Sequence, residues 1–357
     1  MSLFSHDVGI DLGTANTMML VVGKGVVIKE PSVVARQRRT GAILAVGNEA
    51  KRMIGKTPAM IEVVRPLKDG VIADYDAAEA MLSYYIKEIH KGGSFLVPRI
   101  PRPRVVVGVP SGITEVEARA VQDAALNAGA RKAYLIEEPM ATAIGAGLSI
   151  EQPKGRMVVD IGGGTTEIAV ISLGGIVLNR SIRTAGDELD EAIITFARMK
   201  YGLVIGQPTA EEVKINIGSA YKAKPKKTDS KESKEAQQDN QYVVRGRDMA
   251  SGLPKSIKFS STEVRESLAP VVKQIIAGIT ETLEETPPEL VSDILEEGIT
   301  LAGGTGQLLG LDQLIAEHTQ MNVLPVKDPQ LSVVRGCART LEDPKLLEMV
   351  KVVGGFR

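Results

Sequence analysis

The chain has 357 residues, of which 43% are hydrophobic and 3% aromatic, with a net charge of −1 and one cysteine. This length predicts two or three domains, and the balanced charge and few aromatics argue against a nucleic-acid partner. A single cysteine excludes an intrachain disulfide, and the three scattered histidines lack zinc-ligand spacing. We find neither a signal peptide nor an apolar run of roughly 18–20 residues, so we expect a cytoplasmic protein.

Two stretches of the chain are similar to each other. In residues 8–22 and 157–171 an apolar run ends in an aspartate, Asp11 or Asp160. A glycine follows two residues later, then a turn of small residues and a second apolar run. Each stretch predicts a strand, a Gly-rich turn and a returning strand. Two such hairpins facing each other could hold a polyphosphate from both sides.

The region between the hairpins predicts a βαβ unit. Residues 104–110 and 133–137 are typical of buried strands. A capping-box sequence at 114–117 begins a helix between them, so the two strands are expected to be parallel. Pro139 suits the first turn of a further helix, which Gly147 would end.

The second half continues with two predicted helix starts, in 182–190 and 209–216. Residues 299–306 predict a strand running into a third Gly-rich turn, followed by a helix over about 307–319. Residues 332–341 predict another helix.

Residues 222–240 differ from the rest of the chain. They hold six lysines among Asp, Glu, Ser and Gln, with almost nothing apolar. Acidic residues offset most of this charge, so the composition favours a solvated, mobile loop over a nucleic-acid patch.

Standard nucleotide signatures are absent, which leaves the hairpin pair as the phosphate-site hypothesis. A P-loop would need a glycine five residues before Gly55, and that position is Ala50. No dinucleotide fingerprint follows a strand. Glycines allow backbone N–H groups to approach phosphate oxygens, and neighbouring threonines and Asn16 add donors. A single hairpin of this kind is more often an ordinary tight turn, but two copies and a third Gly-rich turn favour the phosphate site.

The carboxylates suggest two further roles. Asp11 and Asp160 would repel phosphate, so they fit best around a cation, and Mg²⁺ reached through its waters is the natural candidate. Glu137 and Glu138 stand at a strand end before a helix. Either they favour the positive end of the helix dipole, or one of them orients a water for attack on a terminal phosphate.

These motifs resemble the actin superfamily of ATPases and, within it, the MreB family of bacterial cell-shape actins. The similarity covers roughly residues 6–345. The motifs that carry it are residues 11–17, 65–73, 136–147, 160–166 and 246–254. The phosphate motifs are shared by the superfamily, whereas 65–73 and 246–254 are more specific to the MreB family.

The resemblance implies an α/β, actin-like ATPase fold with two similar domains around a nucleotide cleft. Domain I would comprise 1–146 and 328–357, with a small subdomain at about 26–66. Domain II would comprise 147–327, with a small subdomain at about 181–258 that includes the Lys-rich loop.

The resemblance also implies ATP and Mg²⁺ as cofactors and a role for each site residue. Mg²⁺ would lie near Asp11 and Asp160, and Glu138 would position the attacking water with help from Thr165. The phosphates would lie on Gly13, Thr14, Ala15, Asn16, Gly162, Gly163, Gly164 and Thr165. The ribose and adenine would lie near Gly186, Asp187, Glu211, Lys214, Gly303, Gly304 and Thr305.

Members of this family polymerise on the inner face of the cell membrane and organise cell-wall synthesis. The resemblance therefore implies self-assembly, peripheral membrane binding and partners in the elongation machinery such as RodZ-, MreC- and MreD-like proteins. Phe95 and Leu96 match the family's membrane loop, although packing against their own domain is the simpler alternative.

Two other functions on the same fold remain open. A monomeric DnaK-like chaperone ATPase is disfavoured because the sequence shows no peptide-binding domain after the ATPase module. A small-molecule kinase would need a catalytic base near the γ-phosphate, and no extra acidic residue is clearly placed for that role.

Overall fold

A computed structural model describes residues 6–91, 102–221 and 239–352. Within these ranges no helix is long and apolar enough to cross a membrane. Phe95 and Leu96 lie outside the described residues, as does the Lys-rich loop apart from its last two residues, 239 and 240.

The first half forms an α/β domain. Its strands are β1 (Val8–Leu12), β2 (Asn16–Val21), β3 (Gly25–Pro31), β4 (Val34–Gln37), β5 (Ile43–Val46), β6 (Ile61–Val64), β7 (Leu67–Lys68), β8 (Val71–Ile72), β9 (Arg104–Val109) and β10 (Lys132–Glu137). Its helices are α1 (Asn48–Lys51), α2 (Tyr75–His90), α3 (Glu115–Asn127) and α4 (Glu138–Ala146).

The main sheet of this domain has the order β10–β9–β1–β2–β3. The β1–β2 hairpin is antiparallel, while β9 runs parallel to both β1 and β10. The predicted βαβ unit is therefore confirmed. Its helix α3 begins at the expected capping box: the Glu117 N–H donates to the Thr114 hydroxyl at 3.3 Å, and the Thr114 N–H donates to the Glu117 carboxylate at 2.9 Å.

A small sheet of order β5–β4–β6 lies beside the main one. It has its own apolar cluster of Val33, Ala35 and Ala50. Because β3 pairs with β2 in the main sheet, this small sheet starts at Val34. It therefore begins later in the chain than the predicted boundary near residue 26.

The second half repeats the same architecture. Its strands are β11 (Arg156–Ile161), β12 (Thr166–Ser172), β13 (Gly175–Ile182), β14 (Leu203–Val204), β15 (Gln241–Asp248), β16 (Pro254–Ser260), β17 (Ile299–Ala302) and β18 (Val323–Pro325). Its helices are α5 (Gly186–Tyr201), α6 (Gln207–Ile217), α7 (Ser261–Glu285), α8 (Pro288–Glu297) and α9 (Leu311–Thr319).

The main sheet of domain II has the order β18–β17–β11–β12–β13, which matches the first sheet strand for strand. In each sheet an antiparallel hairpin lies next to two parallel strands. A second small sheet, β14–β15–β16, accompanies it. The two domains predicted from the repeated hairpins thus share one topology.

One helix begins later than predicted. After β17 the chain forms a short 3₁₀ turn, Thr305–Gln307, and α9 starts only at Leu311. Gly310, just before it, has a φ of 74°, which a continuous right-handed helix cannot accommodate. The helix predicted from residue 307 is therefore too long at its start.

Two last helices, α10 (Ser332–Glu342) and α11 (Pro344–Val350), follow domain II in the chain. Helix α10 packs on α4 at very short distance. A Cβ on Gly145 would lie 1.9 Å from the Ser332 carbonyl oxygen, and a Cβ on Gly336 would lie 1.9 Å from that of Ala141. These glycines let the two helix backbones touch.

Three large apolar clusters hold the molecule together. One fills domain I, and one fills domain II. The third joins side chains of α4 and α10 to Val158, Ala169 and Ile171 of domain II, so the two domains share a core at the base of the cleft between them.

Candidate functional site

The two hairpin turns face each other across a cleft of about 970 Å³ between the domains. Every residue predicted for the phosphate, metal, catalytic, ribose and adenine positions lines this cleft: Asp11, Gly13, Thr14, Ala15, Asn16, Glu138, Asp160, Gly162, Gly163, Gly164, Thr165, Gly186, Asp187, Glu211, Lys214, Gly303, Gly304 and Thr305. The structure brings the predicted set together, and what each residue binds stays a prediction.

The turns approach each other so closely that side chains are excluded from one of them. A Cβ on Gly163 would lie 2.5 Å from the Ala15 Cβ. A Cβ on Gly164 would lie 2.7 Å from the Thr14 hydroxyl oxygen. The run of glycines in the second hairpin is thus required by the contact between domains, as well as by any ligand that approaches the backbone.

Both turns are held from outside by hydrogen bonds to their carbonyl oxygens. The Ser32 hydroxyl donates to Gly13 at 2.6 Å, and the Thr305 hydroxyl donates to Gly162 at 2.6 Å. The Asp187 N–H donates to the Gly163 carbonyl at 2.8 Å. These bonds fix the shape of each turn, so its backbone can be preorganised for a ligand.

The two aspartates occupy equivalent positions on β1 and β11. Burial and the nearby charge of Asp160 raise the pKa of Asp11 to about 8. Burial also raises the pKa of Asp160 to about 6, although the Thr142 hydroxyl opposes this by donating to its carboxylate at 2.5 Å. A cation would relieve this repulsion, so the pair fits a hard divalent ion such as Mg²⁺. Among the described residues, no group of three or more His, Cys, Asp or Glu side chains forms a complete metal site.

Glu138 is the first residue of α4, at the carboxyl end of β10. Of the adjacent glutamates it is Glu138 that lines the cleft. Burial raises its pKa well above the ordinary value, and the charges of Glu167, Asp11 and Asp160 add to this effect. Of the two candidates predicted from sequence, the structure therefore places Glu138, and not Glu137, in the lining of the cleft.

On the opposite side of the cleft, predicted ribose and adenine residues make ion pairs across the opening. Arg65 donates to both carboxylate oxygens of Asp187, at 3.0 and 3.1 Å. The Lys51 ammonium lies 2.6 Å from Glu211. Sequence reasoning did not assign Arg65 or Lys51 to the site, although Arg65 opens one of the motifs that carried the resemblance.

Lys214 is held within domain II. Its ammonium lies 2.8 Å from Asp190 and donates to the Gly186 carbonyl at 2.7 Å. Burial raises the pKa of Asp190 to about 6, and the charge of Lys214 opposes the increase. This contact fixes α6 against the start of α5, where Gly186 and Asp187, the predicted ribose residues, lie.

A further carboxylate was missed from the sequence. Glu167 on β12 is 1% exposed. Its carboxylate accepts hydrogen bonds from the Ser111 N–H at 3.1 Å and from the Ser181 hydroxyl at 2.6 Å. The sequence feature that could have identified Glu167 is a charged residue in a strand whose other residues are apolar or carry hydroxyl groups.

Two domains of one topology, joined at the base and facing each other through paired Asp-Gly hairpins, define an actin-like protein. Comparisons with known proteins agree. The sequence model of the family described as MreB/Mbl protein matches residues 5–349. The chain belongs to the MreB/Mbl family.

Individual relatives are similar over nearly their whole length. The cell shape-determining protein MreB of Escherichia coli (strain K12) is 48% identical over 357 residues, covering 99% of this chain and 96% of that protein. The cell shape-determining protein Mbl of Bacillus subtilis (strain 168) is 45% identical over 341 residues, covering 96% and 97%.

Solved structures of MreB5 of Spiroplasma citri share the fold. The ADP-bound form has a TM-score of 0.85 and 37% identity, covering 96% of this chain and 98% of the solved chain. The AMPPNP-bound form has a TM-score of 0.85 and 38% identity, covering 96% and 97%.

Proposed function

We propose that this chain is a bacterial cytoskeletal ATPase that assembles with ATP into filaments, hydrolyses the nucleotide and maintains cell shape by organising cell-wall synthesis. One observation carries the proposal: two facing hairpin turns, two acidic groups and Glu138 converge on a single cleft between two domains. Family membership supports it, as do the relatives named for cell-shape determination and the MreB5 structures bound to ADP and AMPPNP.

The proposed chemistry follows from the positions of these groups. Backbone N–H groups of the two turns would bind the phosphates, one turn from each domain. Glu138 and Thr165 would orient a water in line with the terminal phosphate, in a site that closure of the domains shields from solvent. Mg²⁺ bound near Asp11 and Asp160 would supply charge neutralisation for the phosphates. Loss of the terminal phosphate would remove contacts to one turn and so weaken the closed state that a filament requires.

Pelleting tests the filament proposal and separates it from a monomeric chaperone-type ATPase or a small-molecule kinase. We expect the pelleted fraction to rise steeply above a threshold protein concentration with ATP and Mg²⁺, with release of phosphate following assembly. A chain that stays monomeric at roughly tens of micromolar, with ATP and lipid vesicles present, contradicts the proposal.

We also propose that the protein is peripheral at the inner face of the cell membrane, where it would meet elongation proteins such as RodZ-, MreC- and MreD-like partners. The proposal rests on the resemblance and on the apolar Phe95 and Leu96 between Gly93 and Pro98. Replacing both Phe95 and Leu96 by Ser should reduce co-sedimentation with anionic vesicles. Replacing the exposed Val116 and Met199 by Ser is the matched control, and equal binding by both variants contradicts the role of the loop.

A further inference from the structure

Domain II contains a buried charged side chain that has no role in the proposed chemistry. Glu167 is 1% exposed and is the only charged residue on β12. Burying a carboxylate is unfavourable unless donors compensate it, and an apolar side chain would fill this position at lower cost. Such groups are frequent at functional sites.

Glu167 lies in a row of polar side chains that crosses the domain II sheet. Its backbone partner on β11 is Asp160, and its partner on β13 is Ser181. Directly opposite residues of neighbouring strands point to the same face of a sheet. Glu167 is therefore next to Asp160 on the face that Thr142 of α4 contacts.

The carboxylate of Glu167 connects the two domains beside Asp160, which lines the cleft. One oxygen accepts from the Ser111 N–H, and the other accepts from the Ser181 hydroxyl. Burial raises the pKa of Glu167 to about 7, and the bonds from Ser181 and Ser111, with a smaller contribution from the Thr165 side chain, oppose the increase. Thr165, one of the two residues proposed to orient water, stands two positions before Glu167 in the same hairpin and lines the cleft.

The contact with Ser111 connects Glu167 to Glu138, the other residue proposed to orient water. Ser111 follows β9, and β9 pairs with β10 such that Val109 lies opposite Glu137. Ser111 therefore belongs to the segment beside Glu138. The charge of Glu167 also acts on Glu138, because it contributes to raising the pKa of that residue.

We propose that Glu167 is a positioning residue for ATP hydrolysis: it orients the Thr165 hydroxyl and fixes the Ser111 segment, so that Thr165 of domain II and Glu138 of domain I are aligned in the closed protein. This inference rests on the proposed ATPase function. A side chain with only a structural role would affect folding and nucleotide affinity together with turnover, whereas a positioning residue affects turnover alone.

Glu167→Gln in the full chain is the main test. Glutamine keeps the size and one carbonyl acceptor but lacks the second acceptor oxygen. We expect kcat for phosphate release to fall about tenfold or more, while KM and the affinity for a fluorescent ADP analogue change less than about threefold. The thermal unfolding midpoint should stay close to that of the wild type.

A matched control and a double-mutant cycle complete the experiment. Ser181→Ala removes a donor to Glu167 that lies within domain II, and we expect kcat to fall less than about threefold. Thr165→Val and Glu167→Gln should be strongly non-additive when combined, because both act through the same hydroxyl. If Glu167→Gln does not fold, Glu167→Asp takes its place in the double-mutant cycle with Thr165→Val.

The outcomes are distinguishable. Wild-type kcat in Glu167→Gln, or equal losses of turnover and affinity, overturns the positioning role while leaving the ATPase proposal intact. Additive losses in the cycle overturn it as well. A wild-type chain that binds ATP without releasing phosphate overturns both proposals, and a large kcat loss at constant affinity supports both.

Discussion

Lys51 and Glu211 meet across the mouth of the cleft, with the ammonium nitrogen 2.6 Å from the carboxylate oxygen. The two residues belong to the small parts of different domains, α1 and α6. Together with the Arg65–Asp187 pair, in which one guanidinium nitrogen donates to both carboxylate oxygens, they span the opening of the proposed nucleotide cleft. The open and closed positions of the domains should therefore depend on these pairs.

Lys51→Ala should speed nucleotide release. Half-exposed ion pairs contribute up to about 1 kcal/mol, so we expect an increase in the dissociation rate of up to about fivefold, with little change in thermal stability. Stopped-flow displacement of a fluorescent ADP analogue measures it. Lys154→Ala is the matched control, because the Lys154–Glu297 pair at 3.1 Å lies within domain II. Equal rates in the two variants would show that the Lys51 pair does not restrain the cleft.

Glu138→Ala should bind ATP normally but release phosphate about a hundredfold more slowly, because the group that orients the water is removed. Single-turnover phosphate release measures the rate, and equilibrium titration measures the affinity. Glu137→Ala is the control, since the neighbouring carboxylate does not line the cleft. Near-wild-type turnover in Glu138→Ala would remove this residue from the mechanism.

Gly163→Ala should prevent the two turns from meeting. The added Cβ would lie 2.5 Å from the Ala15 Cβ, so we expect nucleotide affinity to fall about tenfold or more as the turns separate. The double variant with Ala15→Gly removes the opposing methyl group and should recover part of the loss. Isothermal titration with ADP measures the affinity of both variants. If the double variant binds ADP no more tightly than Gly163→Ala alone, the contact with Ala15 is not the cause of the loss.

Stability without nucleotide should fall as pH rises from about 6 to about 8. The pKa of Asp11 is raised from 3.8 to about 8 on folding, so in this interval the folded chain holds a proton that the unfolded chain has released. Because the folded state binds more protons, the free energy of unfolding decreases with pH until Asp11 is ionised. Urea unfolding in EDTA measures this slope.

Asp11→Asn provides the control for the pH dependence, because it removes one of the buried carboxyl groups with a raised pKa and should reduce the slope. Adding Mg²⁺ with ADP should also flatten it, since a cation compensates the charge that costs stability at high pH. Removing Mg²⁺ with EDTA should in turn weaken ADP binding at about pH 8. An unchanged slope in Asp11→Asn would show that other groups dominate.

Local features were predictable from sequence because their signals are local. The two hairpins follow from apolar runs that flank Gly-rich turns, and α3 follows from Thr114 and Glu117, three residues apart. The cleft residues on these elements came together as the repeat implied. The predicted start of α9 was wrong because Gly310 has a left-handed backbone conformation. The spacing of apolar residues, on which the prediction depended, does not reveal such a conformation.

Long-range pairings were not predictable in the same way. Arg65 and Asp187 are 122 residues apart, and Lys51 and Glu211 are 160 residues apart. A charged residue on a polar surface has many potential partners, and only the tertiary structure selects one. Glu167 was overlooked for a related reason, since its main-chain donor Ser111 lies in the other domain.

The position of α10 in the chain determines the order in which the molecule can be completed during synthesis. Strands β11 to β18 and their helices are contiguous, so domain II can fold as one unit when its last strand has emerged. Domain I is synthesised first, but its helix α10 follows domain II in the chain. Until α10 has been synthesised, the backbone at Gly9 and Gly145, against which α10 packs, stays uncovered. The N-terminal domain is therefore finished last, and a ribosome-bound chain carries an incomplete first domain during most of its synthesis.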